Sequence, residues 1–175
     1  ERDIPAMKPL TLEGTKKLRQ LLAVLASSVP FKPNISKLSE RTGISRNSLV
    51  QYLHYLQEAD ILKLLFRDTK GIGQLQKPEK VFFANPNLTH AFADGPVNVG
   101  NERETFFLGQ VGEKHAVSYT EKGDFLVDGK WVFEVGGKQK TGKQVEGIQN
   151  SSLALDGLEY GHGNKIPLWQ FGFLY

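Results

Sequence analysis

The sequence predicts a mixed fold, α+β or α/β, in two parts: a winged helix-turn-helix over residues 1–93 and a small α/β domain over residues 94–175. Three observations lead there. Two amphipathic stretches flank Gly43 in "NISKLSERTGISRNSLVQYLHYLQ", the layout of two helices joined by a tight turn. Two apolar runs then bracket a Gly-, Lys- and Gln-rich tip in "ILKLLFRDTKGIGQLQKPEKVFF", as a hairpin wing does. After residue 94, short apolar runs alternate with turn signals and are flanked by helical patterns.

The elements follow in order. "TLEGTKKLRQLLAVLASSVP" has apolar residues at 18, 21, 22, 25 and 29, a helical period, and Pro30 is expected to end it. Asn34 is placed to cap a helix running to Thr42, with Ile35 and Leu38 on its apolar face. Gly43 supplies the turn and Ile44 tucks beneath it. Ser45 caps the next helix, whose apolar face is Leu49, Tyr52, Leu53 and Leu56. "NLTHAFADGPVNVGN", rich in Gly, Pro and Asn, is expected to be a hinge. "NERETFFLGQVGE" reads as a helix with Phe106, Phe107 and Val111 toward the core. Three β runs are expected at 116–119, 124–127 and 131–135, with Asp128-Gly129 as a two-residue hairpin turn. "KTGKQVEGIQNSSLALDG" is read as a helix. "NKIPLWQFGFLY" is read as a terminal strand with Pro167 at its start.

Composition narrows the function. Of 175 residues 39% are hydrophobic and 23% charged, ordinary for a globular chain. No apolar run reaches membrane-spanning length and no signal-peptide pattern is present, so a cytoplasmic protein with no membrane partner is expected. Cysteine is absent, which excludes disulfides, thiolate metal sites and a cysteine nucleophile. The net charge of +3 hides an asymmetry: residues 1–95 hold 14 Lys/Arg against 9 Asp/Glu, and residues 96–175 hold 8 against 10. A basic first half suits a polyanion such as DNA, although a normally solvated surface accounts for it equally well. The chain opens "ERDIPAMKPL" without an initiator Met and is expected to be a piece of a longer protein.

In DNA-binding winged helices the start of the second helix meets base edges. Arg46, Asn47, Ser48 and Gln51 stand there, with side chains suited to guanine and adenine edges. On the wing, Arg67, Lys70, Lys77 and Lys80 are placed for phosphates. The alternative is a module that packs on another protein domain or mediates oligomer assembly.

The second part carries the chemistry in "GDFLVDGKWVFEVGGKQKTGKQ". A turn at 128–129 brings Asp124 level with residue 133 or 134, so Asp124 and Glu134 converge at one end of a hairpin. With Glu104 from the preceding helix they form a candidate magnesium site. This is the carboxylate layout of the restriction-endonuclease-like fold, PD-(D/E)XK. That pattern carries a lysine two residues after the second acid, on the same strand face; here Gly136 stands there, and Lys138 and Lys140 come later. An inactive relative of that fold is therefore expected, with a working nuclease and plain strand-end charges as the alternatives. "GKQKTGKQ" nearly matches a phosphate loop, but Gln144 replaces the magnesium-holding hydroxyl; anion binding by Lys138, Lys140 and Lys143 at a helix start is the better reading of these lysines. His54, His90, His115 and His162 show no metal-ligand spacing.

The succession "NISKLSERTGISRNSLVQYLHYLQEADIL", "KVFFANPNL", "NERETFFLGQV", "GDFLVDGKWVFEVGGKQKTGKQ" and "EYGHGNKIPLWQFGFLY" resembles the C-terminal region of a large family of predicted bacterial and archaeal AAA+ ATPases. The resemblance spans nearly the whole chain. It implies a winged helix followed by a domain of unknown function with a restriction-endonuclease-like fold. It also implies an ATPase module ahead of this region as a partner, so that ATP binding belongs to that module. By the same resemblance Glu104, Asp124 and Glu134 match the family's acidic positions, and Lys138 stands in for the lysine that many members carry two residues after the second strand's glutamate.

Overall fold

The computed structural model describes residues 11–27, 32–67 and 77–174. The architecture is mixed α+β with two sheets. The described residues divide into two compact units: 11–27, 32–64 and 77–97 form the first, and 65–67 and 98–174 form the second.

The first unit starts with α1 (Leu12–Ala26), capped by Thr11, whose hydroxyl accepts the Gly14 N–H at 3.0 Å. Leu18, Leu21, Leu22 and Leu25 are buried, as their period requires. The helix ends at Ala26 with Ser27 as its cap; Val29 and Pro30 lie outside the described residues. Helix α2 (Ile35–Thr42) is capped by Asn34, which accepts the Lys37 N–H at 3.1 Å. It stops at Gly43, whose φ of 63° is the left-handed conformation that glycine adopts without a Cβ clash. Ile44 is buried, and Ser45 accepts the Ser48 N–H to start α3 (Arg46–Glu58). Leu49, Leu53 and Leu56 are fully buried along one face, each contributing about 2 kcal/mol of transfer free energy.

Strands β1 (Leu62–Leu65) and β2 (Lys80–Phe83) form a two-stranded sheet. The Ala84 N–H donates to the Ile61 carbonyl, so the end of β2 lies beside the start of β1. The stretch expected as a hinge instead begins with helix α4 (Pro86–Phe92). Asn85 accepts the Asn87 N–H and Pro86 takes the first helical turn, a helix-start signal that the Gly- and Pro-rich composition obscured. Helix α4 packs on α1 and β2, with Phe92 stacked on Phe83 at 5.8 Å.

The second unit is a five-stranded sheet with its strands in chain order: β3 (Val117–Ser118), β4 (Phe125–Val127), β5 (Trp131–Gly137), β6 (Ser151–Asp156) and β7 (Lys165–Pro167). The β3–β4 and β4–β5 pairs are antiparallel; β5–β6 and β6–β7 are parallel. The β4–β5 turn places Asp128 (φ 51°) and Gly129 (φ 63°) in the left-handed region, closed by the Lys130 N–H on the Val127 carbonyl. Val127 then pairs with Trp131, so Lys130 is an extra residue in the turn.

Alternation along β5 separates two faces. On one, Phe133 meets Phe107 of helix α5 (Val99–Val111) at 5.0 Å, and Phe107 also contacts Phe125 and Phe171. On the other, Val132 packs with Val145, Leu153 and Leu155. Two expectations are corrected here. The segment read as a helix after residue 140 holds only a 3-10 turn (Lys143–Val145) followed by β6, because Leu153, Ala154 and Leu155 are all buried as a central parallel strand demands. Pro167 ends β7 rather than starting it, and a 3-10 segment (Leu168–Phe173) follows.

Candidate functional site

The β4–β5 register pairs Phe125 with Phe133, and its continuation brings Asp124 level with Glu134. Both side chains are buried, Asp124 at 8% and Glu134 at 2% exposure. The Asp124 backbone N–H donates to the Phe133 carbonyl at 2.8 Å, and its Oδ2 accepts the Val135 N–H at 2.8 Å. These bonds hold the carboxylate against the hairpin. Glu134 Oε2 is buried without a hydrogen-bond partner, which is costly for a charged oxygen unless something binds it.

Lys140 meets this pair. Its Nζ lies 3.4 Å from Asp124 Oδ2 and 3.3 Å from Glu134 Oε1, and donates to the Val135 carbonyl at 2.8 Å. The stem runs over Gly136: a Cβ there would overlap Lys140 Cδ and fall 3.1 Å from its Cβ and Cγ. The lysine expected in this role, Lys138, is exposed instead, with its Cβ 3.8 Å from where a Cβ on Gly157 would stand. The reason is the strand period. Gly136 shares the face of Glu134, whereas position 138 lies past the end of β5, and the turn closed by the Lys140 N–H on the Gly137 carbonyl sends residue 140 back over that face.

Glu104 is not brought into the group. Its helix neighbours Arg103 and Phe107 reach the opposite face of β5, at Gly137 and Phe133. Among the described residues, no three His, Asp or Glu side chains are grouped to hold a metal ion. The phosphate-loop reading also falls away: Gly142 (φ 74°) turns the chain under Leu153, and the 3-10 turn after it spans three residues, too short to offer a helix N-terminus to an anion. An open cleft of about 660 Å³ does adjoin that turn, lined by Lys143, Asn150, Ser151, Asn164 and Lys165, but neither buried carboxylate lines it.

In the first unit, Arg46, Asn47 and Gln51 are exposed at the start of α3, while Ser48 is half-buried and its hydroxyl bonds that of Ser45 at 2.8 Å. The expected wing contacts change. Lys80 is buried, its Nζ 5.8 Å from the Phe82 ring centre, because it sits on a strand buried along its whole length. Arg67 belongs to the second unit, where it pairs with Glu121 at 2.7 Å and lies over Tyr119. Lys77 is exposed, and Lys70 lies outside the described residues. Of the histidines, His115 pairs with Asp128 at 2.7 Å. Sequence reasoning missed the Arg103–Asp156 bridge, whose only signal was an unassigned acid after an apolar run.

The described residues make a mixed α+β chain of two compact units with two sheets. The chain belongs to the family described as a domain of unknown function (DUF8612), which matches residues 1–98. No curated protein and no solved structure shows significant similarity to it. Among the described residues, no helix is long and apolar enough to cross a membrane.

Proposed function

We propose that this chain is a DNA-associated region in which a winged helix-turn-helix docks on the duplex and a restriction-endonuclease-like unit carries a metal-dependent phosphodiester site. The observation that carries this reading is the pair of buried carboxylates, Asp124 and Glu134, held level across one hairpin. Lys140 brings one positive charge to two buried acids, so a further cation would complete the compensation that charge burial calls for. Magnesium is commonly held by one or two carboxylates together with substrate phosphate oxygens. Asp124 and Glu134 fit that demand, and Glu134 Oε2 has an unfilled coordination direction. A bound magnesium ion supplies Lewis-acid stabilisation of the phosphoryl oxygens. The chain's own part is to fix both carboxylates through the Val135 N–H and the hairpin register.

Exposed Arg46, Asn47 and Gln51 support the docking half of the reading, since their donors and acceptors suit base edges. The resemblance to the C-terminal region of AAA+ ATPases supports a partner module that would bind ATP.

The missing third acid favours a second reading, an inactive relative that holds DNA without cutting it. One experiment separates them. The chain is incubated with duplex DNA and Mg²⁺ or Mn²⁺, beside Asp124→Asn and Glu134→Gln. Metal-dependent cleavage lost in both variants is the expected result; cleavage that survives both substitutions sinks the active site. A gel shift with salt titration tests docking, and no binding at low salt removes DNA as partner.

A further inference from the structure

We infer that Lys140 is the lysine of this phosphodiester site, reaching it through a slot that Gly136 leaves open; the inference rests on the reading of Asp124 and Glu134 given above. In the sequence pattern, the lysine stands two residues after the second acid and shares its strand face. Here that position has no side chain, and the Lys140 stem fills the vacated space so closely that any Cβ at 136 would overlap it. The ammonium arrives between the two carboxylates, 3.4 Å from Asp124 and 3.3 Å from Glu134. The charge reaches the carboxylates from position 140 rather than from position 136.

The glycine follows from this. No left-handed conformation is found at Gly136, so backbone geometry does not demand it. The passage of Lys140 does. Gly137 meets Arg103 more loosely on the other face, its absent Cβ lying 3.2 Å from the guanidinium. The Gly-Gly pair is thus a double opening, one cation passing on each side of β5.

Lys140 Nζ donates to the Val135 carbonyl and lies beside both carboxylates, which fixes a positive charge next to where a bound phosphate would gather negative charge. In the hydrolysis a water oxygen bonds to phosphorus and gives up a proton to solvent, the bond from phosphorus to the leaving sugar oxygen breaks, and that oxygen takes a proton from solvent.

Two measurements on the full chain test this. In metal-dependent cleavage, Lys140→Ala is expected to lose roughly 100-fold in rate, and the relocated pair Gly136→Lys with Lys140→Ala to recover most of it. In thermal unfolding, Gly136→Ala is expected to lower Tm in the native chain but not in Lys140→Ala. Additive Tm effects overturn the slot. Full cleavage by Lys140→Ala, or loss in Lys138→Ala instead, overturns the assignment of Lys140 while leaving the carboxylate site standing. Absence of metal-dependent cleavage in the native chain, or its survival in Asp124→Asn, overturns the site itself and the role of Lys140 with it.

Discussion

Arg103 on α5 and Asp156 at the end of β6 close a salt bridge, Nε to Oδ2 at 2.9 Å, that ties the helix to the parallel half of the sheet. Both partners are partly exposed, so solvent screens the pair and its worth is about 0.5 kcal/mol. Arg103→Ala and Asp156→Ala are each expected to cost no more than about 1 kcal/mol, and the double variant no more than the larger single effect. Denaturant unfolding of the three variants checks this, and fully additive losses would show that the two residues do not act together.

Asp128 is one source of acid-dependent stability, beside Glu13, which Lys17 holds below its ordinary value. The His115 ring bonded to its carboxylate, with the Ala116 N–H, holds Asp128 below its ordinary value of 3.8. A depressed carboxylate contributes stability that is complete above the unfolded value and is lost as pH falls through the folded one. Unfolding followed from about pH 5 down to about pH 2 is therefore expected to steepen at the acid end. Asp128→Asn keeps an acceptor and tolerates the left-handed turn, so it is expected to flatten that slope with little cost at neutral pH. An unchanged slope counts against Asp128 as its origin.

The helix-turn-helix depends on two short polar caps. Ser45→Ala and Asn34→Ala each remove the acceptor for one helix-start N–H, and each is expected to cost about 1 kcal/mol. Gly43→Ala forces a Cβ into φ 63° with open space around it, so the loss, about 1 kcal/mol, is purely conformational. Circular dichroism during urea unfolding measures all three. A neutral Ser45→Ala would mean that α3 starts elsewhere.

DNA docking predicts a split between exposed and buried cations. If the proposed docking holds, Arg46→Ala, at an exposed position at the start of α3, is expected to weaken specific binding by about 1–3 kcal/mol. Lys80→Ala removes a buried side chain on β2, so it is expected to lower stability while leaving the salt slope of binding unchanged. Fluorescence anisotropy at several salt concentrations distinguishes these. A shallower slope for Lys80→Ala would put that lysine on a phosphate.

Local chemistry made much of this legible. Thr42, Gly43 and Ser45 announce a helix stop and restart, and Asp128-Gly129 announces a turn, because each acts on its own backbone. That turn alone left Asp124 level with residue 133 or 134, and the extra residue Lys130 settles it at Glu134. What stayed hidden depends on partners distant in sequence. Ser151–Asp156 has no period of its own and is a strand only because β5 and β7 flank it. Lys138 and Lys140 look alike in sequence; the turn after Gly137 decides which of them faces the carboxylates. Asn85-Pro86 was a readable helix start just ahead of a stretch whose composition suggested a linker.

The sheet of the second unit is closed at its margins by shortness. Its outer strands span two and three residues, against seven and six for β5 and β6, and β7 finishes on a proline that has no N–H to offer. A neighbouring chain that approaches edge-on finds too few free backbone groups to extend the ladder. The long central strands, whose length and apolar content suit fibrous pairing, are thereby kept out of reach.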